Sequence, residues 1–223
     1  MKINIRNKIN KIIDIIWKNR RWIVMLLFMI IFFEILNNIV DDDIYYFDMR
    51  GYEIVTTKMT DGVTWGAKII TKMASPVVLV LLTFVLFGVL KDKKTKYSIF
   101  INLAVAASLN SIIKHVIQRP RPVGYRLIDE KGYSFPSGHS MVSMAFYGYL
   151  IYIINTNVKS KWIRIVSTIL LSILIVLIGT SRIYLGVHYT SDVCGGFCVA
   201  IAYLMVYTGI LKRMSNKNQE DDD

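Results

Sequence analysis

Six apolar blocks, each close to the thickness of a bilayer, leave this chain few ways to fold. They run from Trp22 to Val40, Ala74 to Leu90, Tyr97 to Gln118, Gly138 to Ile154, Ile163 to Thr180 and Val193 to Leu211. A helix needs about 20 mainly apolar residues to cross a hydrocarbon core, and about 17 suffice for a thin one. Backbone polar groups in lipid must be satisfied within the segment, so such blocks are helices. The apolar fraction, 54% of 223 residues, exceeds the roughly 45–50% of a soluble domain. The expectation is an all-α integral membrane protein: one six-helix domain over 22–211, a basic N-terminal segment over 1–21 and a polar tail, expected to lack structure, over 212–223. No internal repeat is evident.

Net charge is +11. Lys and Arg gather beside the apolar blocks instead of striping one face, which speaks for membrane topology and anionic headgroups and against nucleic acid. The N-terminal cations, the Lys91–Lys96 and Lys159–Arg164 turns and Lys212/Arg213 fall on one side. The positive-inside rule makes that side, and both termini, cytoplasmic. Isoleucines interleave the charges of Met1–Arg21, as in an amphipathic surface helix. The block at Trp22 is too long for a signal peptide and lacks a small-residue cleavage site, so an uncleaved anchor is expected. The outer side then carries Asp41–Met73, Arg119–Pro136 and Ser181–Asp192. The first, with Tyr45, Tyr46, Phe47, Tyr52 and Trp65, reads as a partly helical interfacial loop; the functional alternative is a lid or lipid-entrance element. Arg119, Arg121, Arg126, Lys131 and Arg182 lie on this side against the topology rule and call for another explanation. Cys194 and Cys198 show no metal-ligand spacing and read as small buried residues.

Three outer stretches carry chemistry. In Ser181-Arg182-Ile183-Tyr184-Leu185-Gly186-Val187-His188-Tyr189-Thr190-Ser191-Asp192, an Asp four residues after a His shares its helical face and can hold one ring nitrogen, which leaves the other free to attack. Arg182 adds a fork that fits phosphate. Lys114-His115-Val116-Ile117-Gln118-Arg119-Pro120-Arg121-Pro122 sets Lys114 and Arg121 seven residues apart on a proline-stiffened segment. Its bland reading is a snorkelling Lys followed by loop charges. Phe135-Pro136-Ser137-Gly138-His139 opens the fourth span, where a capping Ser, a Gly and free helix N–H groups make an anion site beside His139. Its bland reading is a plain helix start. Together the stretches supply three cations, an anion nest and two histidines, which is the equipment of phosphoryl transfer.

The stretches also resemble the three motifs of the type 2 phosphatidic acid phosphatases: Lys-x6-Arg-Pro as Lys114…Arg121-Pro122, Pro-Ser-Gly-His as Pro136-Ser137-Gly138-His139, and Ser-Arg-x5-His-x3-Asp as Ser181-Arg182…His188…Asp192. Every motif position matches, in order. The resemblance implies a nucleophilic His188 that forms a phosphohistidine, an orienting Asp192 and a general acid His139. It implies phosphate binding by Lys114, Arg121, Ser137, Gly138 and Arg182, no metal or other cofactor, and an active site at the outer ends of helices three to six. Asp129 and Glu130 lie nearby, but not at ligand spacing, and His115 is expected to turn away from the site.

The implied substrate is a membrane lipid phosphate or diphosphate at the outer face of the cell membrane. Undecaprenyl diphosphate is favoured, with phosphatidate or phosphatidylglycerophosphate as the alternative. A non-hydrolytic lipid transporter or scaffold is the competing reading of another class, although no half-broken helix pair suggests a transporter. The related vanadate-dependent haloperoxidases are soluble, which six apolar blocks oppose.

Overall fold

The computed structural model describes residues 2–220, and among them every regular element is a helix. In chain order these are α1 (Lys2–Val40), α2 (Tyr45–Thr56), α3 (Asp61–Lys72), α4 (Pro76–Val89), α5 (Lys93–Ile117), α6 (Gly138–Asn157), α7 (Lys161–Tyr184) and α8 (Thr190–Glu220). Each begins or ends where the sequence dictates. Ser75, Asp92, Ser137 and Ser160 accept backbone N–H groups as N-caps of α4 to α7, and Pro76 stands in the first turn of α4, where its missing N–H costs nothing. Helix α5 stops at Gln118, whose left-handed φ of 53° turns the chain; Pro120 and Pro122 then bar a return to helix.

Helix α6 is the axis, with α5, α7 and α8 packed around it and α1 lying against α8. Phe146, Leu79, Ile99, Ile178 and Leu204 form one buried cluster, and Phe32, Ala106, Phe135, Met141 and Ala200 another. Polar pairs cross the bundle between them. Ser98 and Tyr149 hydroxyls meet at 2.6 Å, and Asn102 Nδ2 donates to the Ala145 carbonyl at 2.9 Å. The outer faces of α1, α4, α5 and α7 are apolar and uncovered, for example Leu26, Ile30, Phe84, Phe100, Leu170 and Val176. A belt of this kind is what lipid wets.

By length and composition, α1, α5, α7 and α8 can cross a membrane; α3 and α4, bent by 52° at a short break, add a fifth span if taken together. Helix α6 does not meet the same hydropathy standard, for a reason its surroundings supply. It faces protein on most sides, so Ser140, Ser143, Tyr147 and Tyr149 are buried on neighbours instead of exposed to lipid.

Two regions depart from expectation. The polar tail continues α8 as far as Glu220, and the basic N-terminal segment is continuous with the first span in α1. Residues 212–220 include Lys212, Arg213, Met214, Lys217, Gln219 and Glu220, all good helix formers, so a helix already nucleated in the bundle propagates. Residues 221–223 of that tail lie outside the described residues. The long connection after α1, expected as a partly helical loop, carries two helices, α2 and α3, laid against α7 and α8. Gly51 lets α2 come close: a Cβ there would stand 2.0 Å from Thr190 Oγ1 at the start of α8.

Candidate active site

The site grows from two chain reversals. After α7, Gly186 takes φ +68°, and a Cβ on it would stand 2.4 Å from the Tyr125 carbonyl oxygen. Only glycine turns the chain here without strain. The turn sends His188 back over α7, where its N–H bonds the Arg182 carbonyl at 3.3 Å. Helix α8 then starts, and its first-turn Asp192 accepts the Tyr189 N–H at 2.8 Å. The second reversal, between α5 and α6, folds Arg119–Pro136 across the same end of the bundle. The Leu127 N–H bonds the Leu185 carbonyl at 3.0 Å, and the Ser137 N–H bonds the Asp192 carbonyl at 3.0 Å.

His188 and Asp192 meet as their spacing predicts. His188 Nδ1 lies 3.3 Å from Asp192 Oδ2 and 3.4 Å from Ser134 Oγ, and the Ser134 hydroxyl donates to Asp192 Oδ2. On the far edge, His188 Nε2 faces Arg121 Nη1 at 3.1 Å. A guanidinium can only donate, so Nε2 is the acceptor and Nδ1 carries the proton toward Asp192. His188 is 3% exposed. Burial, offset only in part by Asp192, pushes its pKa down to about 4, so the imidazole is neutral at ordinary pH with a lone pair on Nε2.

The other expected residues divide. Arg121 is fixed by the carbonyls of Gly132 (2.9 Å), Lys131 (3.1 Å) and Val187 (2.9 Å). Lys114 Nζ donates to the carbonyls of Tyr133 at 2.6 Å and Ser134 at 3.2 Å. Ser137 Oγ is taken up inside α6 by Ser140, so its backbone N–H, not its hydroxyl, reaches Asp192. Gly138 abuts Asn110, whose Oδ1 would lie 3.0 Å from an added Cβ. Arg182, 1% exposed, donates Nη1 to Thr71 Oγ1 at 2.7 Å and Nη2 to Glu130; its Nε has no partner among the described residues. His139 and Arg182 line a cavity of about 310 Å³ with Glu130, Thr71, Lys68 and Lys72. A second, mainly apolar groove of about 270 Å³ runs from His139 and Gly138 along Leu79, Val80, Leu103 and Val142. His115 is exposed and bonded to the Ser111 carbonyl at 2.7 Å.

Besides Ser134 and Thr71, three charged contributors escaped the sequence reading. Glu130 sits on Arg182, with Arg121 Nη2 3.9 Å away. Burial alone would raise its carboxyl, but Arg182 overrides this and holds it below the usual range. Asp48 of α2, 4% exposed, accepts from Ser191 N at 2.7 Å, Ser191 Oγ at 2.9 Å and Arg119 Nη2 at 2.8 Å. Arg119 in turn gives Nη1 to Asp192 Oδ1 at 2.8 Å and lies over the Tyr189 ring at 4.2 Å. Burial works against its charge, yet Asp192 and Asp48 raise its pKa. Arg119 had one available signal, a charge on the side expected to be outer, where the topology rule disfavours it. Asp48, one acid in a chain segment read as loop, had none.

The sequence model of the PAP2 superfamily matches residues 95–215. A phosphatidylglycerophosphatase B of Bacillus subtilis (strain 168) is 35% identical over 114 residues, 50% of this chain and 56% of that protein. The match thus spans little more than half of that relative's length. An undecaprenyl-diphosphatase of Sulfolobus acidocaldarius is 26% identical over 204 residues, 86% of this chain and 94% of that protein. Among solved structures, the first transmembrane PAP2 type phosphatidylglycerolphosphate phosphatase from Bacillus subtilis superposes with a TM-score of 0.78, at 22% identity, over 85% of this chain and 96% of that one. The likeness is one of fold.

Proposed function

Since the chain belongs to the PAP2 superfamily, we propose that it is a lipid phosphate or diphosphate phosphatase that works through a phosphohistidine and needs no metal. The observation that carries this is the His188–Asp192 pair, with a neutral Nε2 turned toward Arg121 in a cluster of cations. In the proposed reaction, a phosphate displaces the guanidinium from Nε2 and takes Arg121, Arg182, Lys114 and the free N–H groups at the start of α6 as its ligands. The orphaned Nε of Arg182 is one donor that such an anion would satisfy. His188 Nε2 attacks phosphorus while His139 gives a proton to the leaving oxygen; His139 then takes a proton from the water that releases phosphate. Asp192 holds Nδ1–H and balances the charge that the ring acquires.

A lipid substrate is supported by the groove beside His139, which an acyl or prenyl chain would fill, and by the apolar belt. We favour undecaprenyl diphosphate, because the relative named for that activity matches this chain along most of both lengths. Phosphatidylglycerophosphate is the second reading, because the Bacillus relative named for it is the more identical over its shorter match. We further propose six spans, both termini cytoplasmic, and a site that faces outward from the plasma membrane; the basic turns on one side support this arrangement.

The test is phosphate release by detergent-purified protein from undecaprenyl diphosphate, phosphatidate and phosphatidylglycerophosphate, each with and without EDTA. Release that persists in EDTA and is lost in His188→Ala is the expected result. Full activity in that variant would overturn the covalent mechanism, and loss in EDTA would overturn the metal-free one.

A further inference from the structure

A terminal phosphate at His188 has Lys114, Arg121 and Arg182 to neutralise it. The cavity lined by Arg182 and His139 holds two more cations, Lys68 and Lys72, and neither belongs to a motif. They arise because Asp61–Lys72 is helical: Thr64, Ala67 and Thr71 form the face of α3 that packs on α7, with Thr64 Oγ1 2.8 Å from the Tyr184 hydroxyl and Thr71 on Arg182. Lys68 and Lys72, one turn apart, flank that face and come to the rim of the cavity. Both are exposed, and among the described residues neither has a carboxylate within ion-pair distance. The only acid in the cavity wall among the described residues, Glu130, is held by Arg182.

His139 lines this cavity and is also where the apolar groove begins, and the turn at Ala74, Ser75 and Pro76 borders both spaces. The lysines therefore share one cavity wall with His139, the proposed proton donor to the leaving oxygen, and that residue also opens the apolar groove. We propose that Lys68 and Lys72 bind a second phosphate, the one that leaves with the lipid, and so make the enzyme selective for lipid diphosphates over monophosphates; this rests on the phosphatase reading above. In the reaction, His188 Nε2 bonds to the terminal phosphorus as that phosphorus loses its bridging oxygen. The oxygen departs with the electron pair on the lipid monophosphate and takes the proton of His139. Charge thus grows on the leaving phosphate beside the two ammonium groups, so they act on kcat as well as on KM.

The experiment compares farnesyl diphosphate with farnesyl monophosphate, using the full chain in detergent, for wild type, Lys68→Gln/Lys72→Gln, Lys68→Arg/Lys72→Arg and His188→Ala. The expected result is a roughly 10- to 100-fold fall in the ratio of kcat/KM, diphosphate over monophosphate, in the double Gln variant. The double Arg variant should keep most of the ratio. An unchanged ratio in the double Gln variant, with the wild type active and His188→Ala dead, would overturn the subsite and leave the phosphatase reading standing. A wild type inert on both lipids, and on the three membrane lipids above, would overturn the parent reading and the subsite with it.

Discussion

Asp48→Asn should uncouple α2 from the catalytic pair without touching the phosphate ligands. Asp48 is 4% exposed and holds Arg119 and both polar groups of Ser191. Breaking a buried ion pair on one side costs about 3–5 kcal/mol. The Arg119 side chain is 12% exposed and keeps Asp192, and Asn keeps one acceptor, so about 2 kcal/mol is the sensible figure. In a chain of this size that lowers Tm by about 4–8 °C. The catalytic effect follows from sharing. Arg119 now divides its charge between two carboxylates; with Asp48 neutral, it falls wholly on Asp192 and weakens the hold of Asp192 on the imidazolium that develops at His188. A loss of one pKa unit in that partnership is about 1.4 kcal/mol, or tenfold in rate. Steady-state assays should show kcat down about tenfold with KM held, because neither Asp48 nor Arg119 faces the proposed phosphate ligands. A purely structural role would lower the amount of active enzyme but not kcat per folded molecule, counted by titration with a phosphate analogue. Unchanged kcat per site, or single effects of Asp48→Asn and Arg119→Met that simply add in the double variant, would refute the coupling.

Glu130→Gln should strengthen anion binding, because substrate must draw Arg182 away from this carboxylate. Removing that competition should lower the inhibition constant of orthophosphate roughly 5- to 30-fold, as for one charge-assisted contact; weaker inhibition would mean that Glu130 helps to build the anion site. Acid should destabilise the fold through His188. Its folded pKa of about 4 lies below the ordinary value of 6.5, so the unfolded chain takes up a proton that the folded one refuses. The stability is present above pH 6.5 and is lost as pH falls through this window toward 4, by about 3 kcal/mol in all. Thermal unfolding at pH 7 and pH 4.5 should show a smaller acid shift for His188→Gln than for wild type, and equal shifts would contradict the sign.

What the sequence carried well was anything encoded by local spacing. The His188–Asp192 pair is an i, i+4 relation, and the Ser137 cap lies three residues from Ser140, so both follow from helical geometry alone. Each expected span likewise falls on one helix, because apolar runs and turn residues are local signals. What it carried poorly was anything settled by neighbours. That α6 is less apolar than the other long helices because its serines and tyrosines are buried against α5, α7 and α8 is such a case: the run of apolar residues shows the helix, not its covered position. The tail ran on as helix because the bundle nucleates it. Asp48 reaches Ser191 across 143 positions, and Glu130 reaches Arg182 across 52; no spacing rule spans such distances.

One signal did cross those distances, and it was electrostatic. Positive charges on the loops expected outside run against the topology bias, and three of them, Arg119, Arg121 and Arg182, turn out to be buried or half-buried on a carboxylate, a histidine or both. Desolvating a guanidinium is costly unless an anion is there to meet it. A cation kept on the disfavoured side therefore marks a place where an anion is, or will be. Arg119 and Arg182 have found theirs within the chain. Lys68 and Lys72 stand at the wall of the cavity that Arg182 lines, exposed and with no carboxylate within ion-pair distance among the described residues, and they are the pair that the proposed second phosphate would engage.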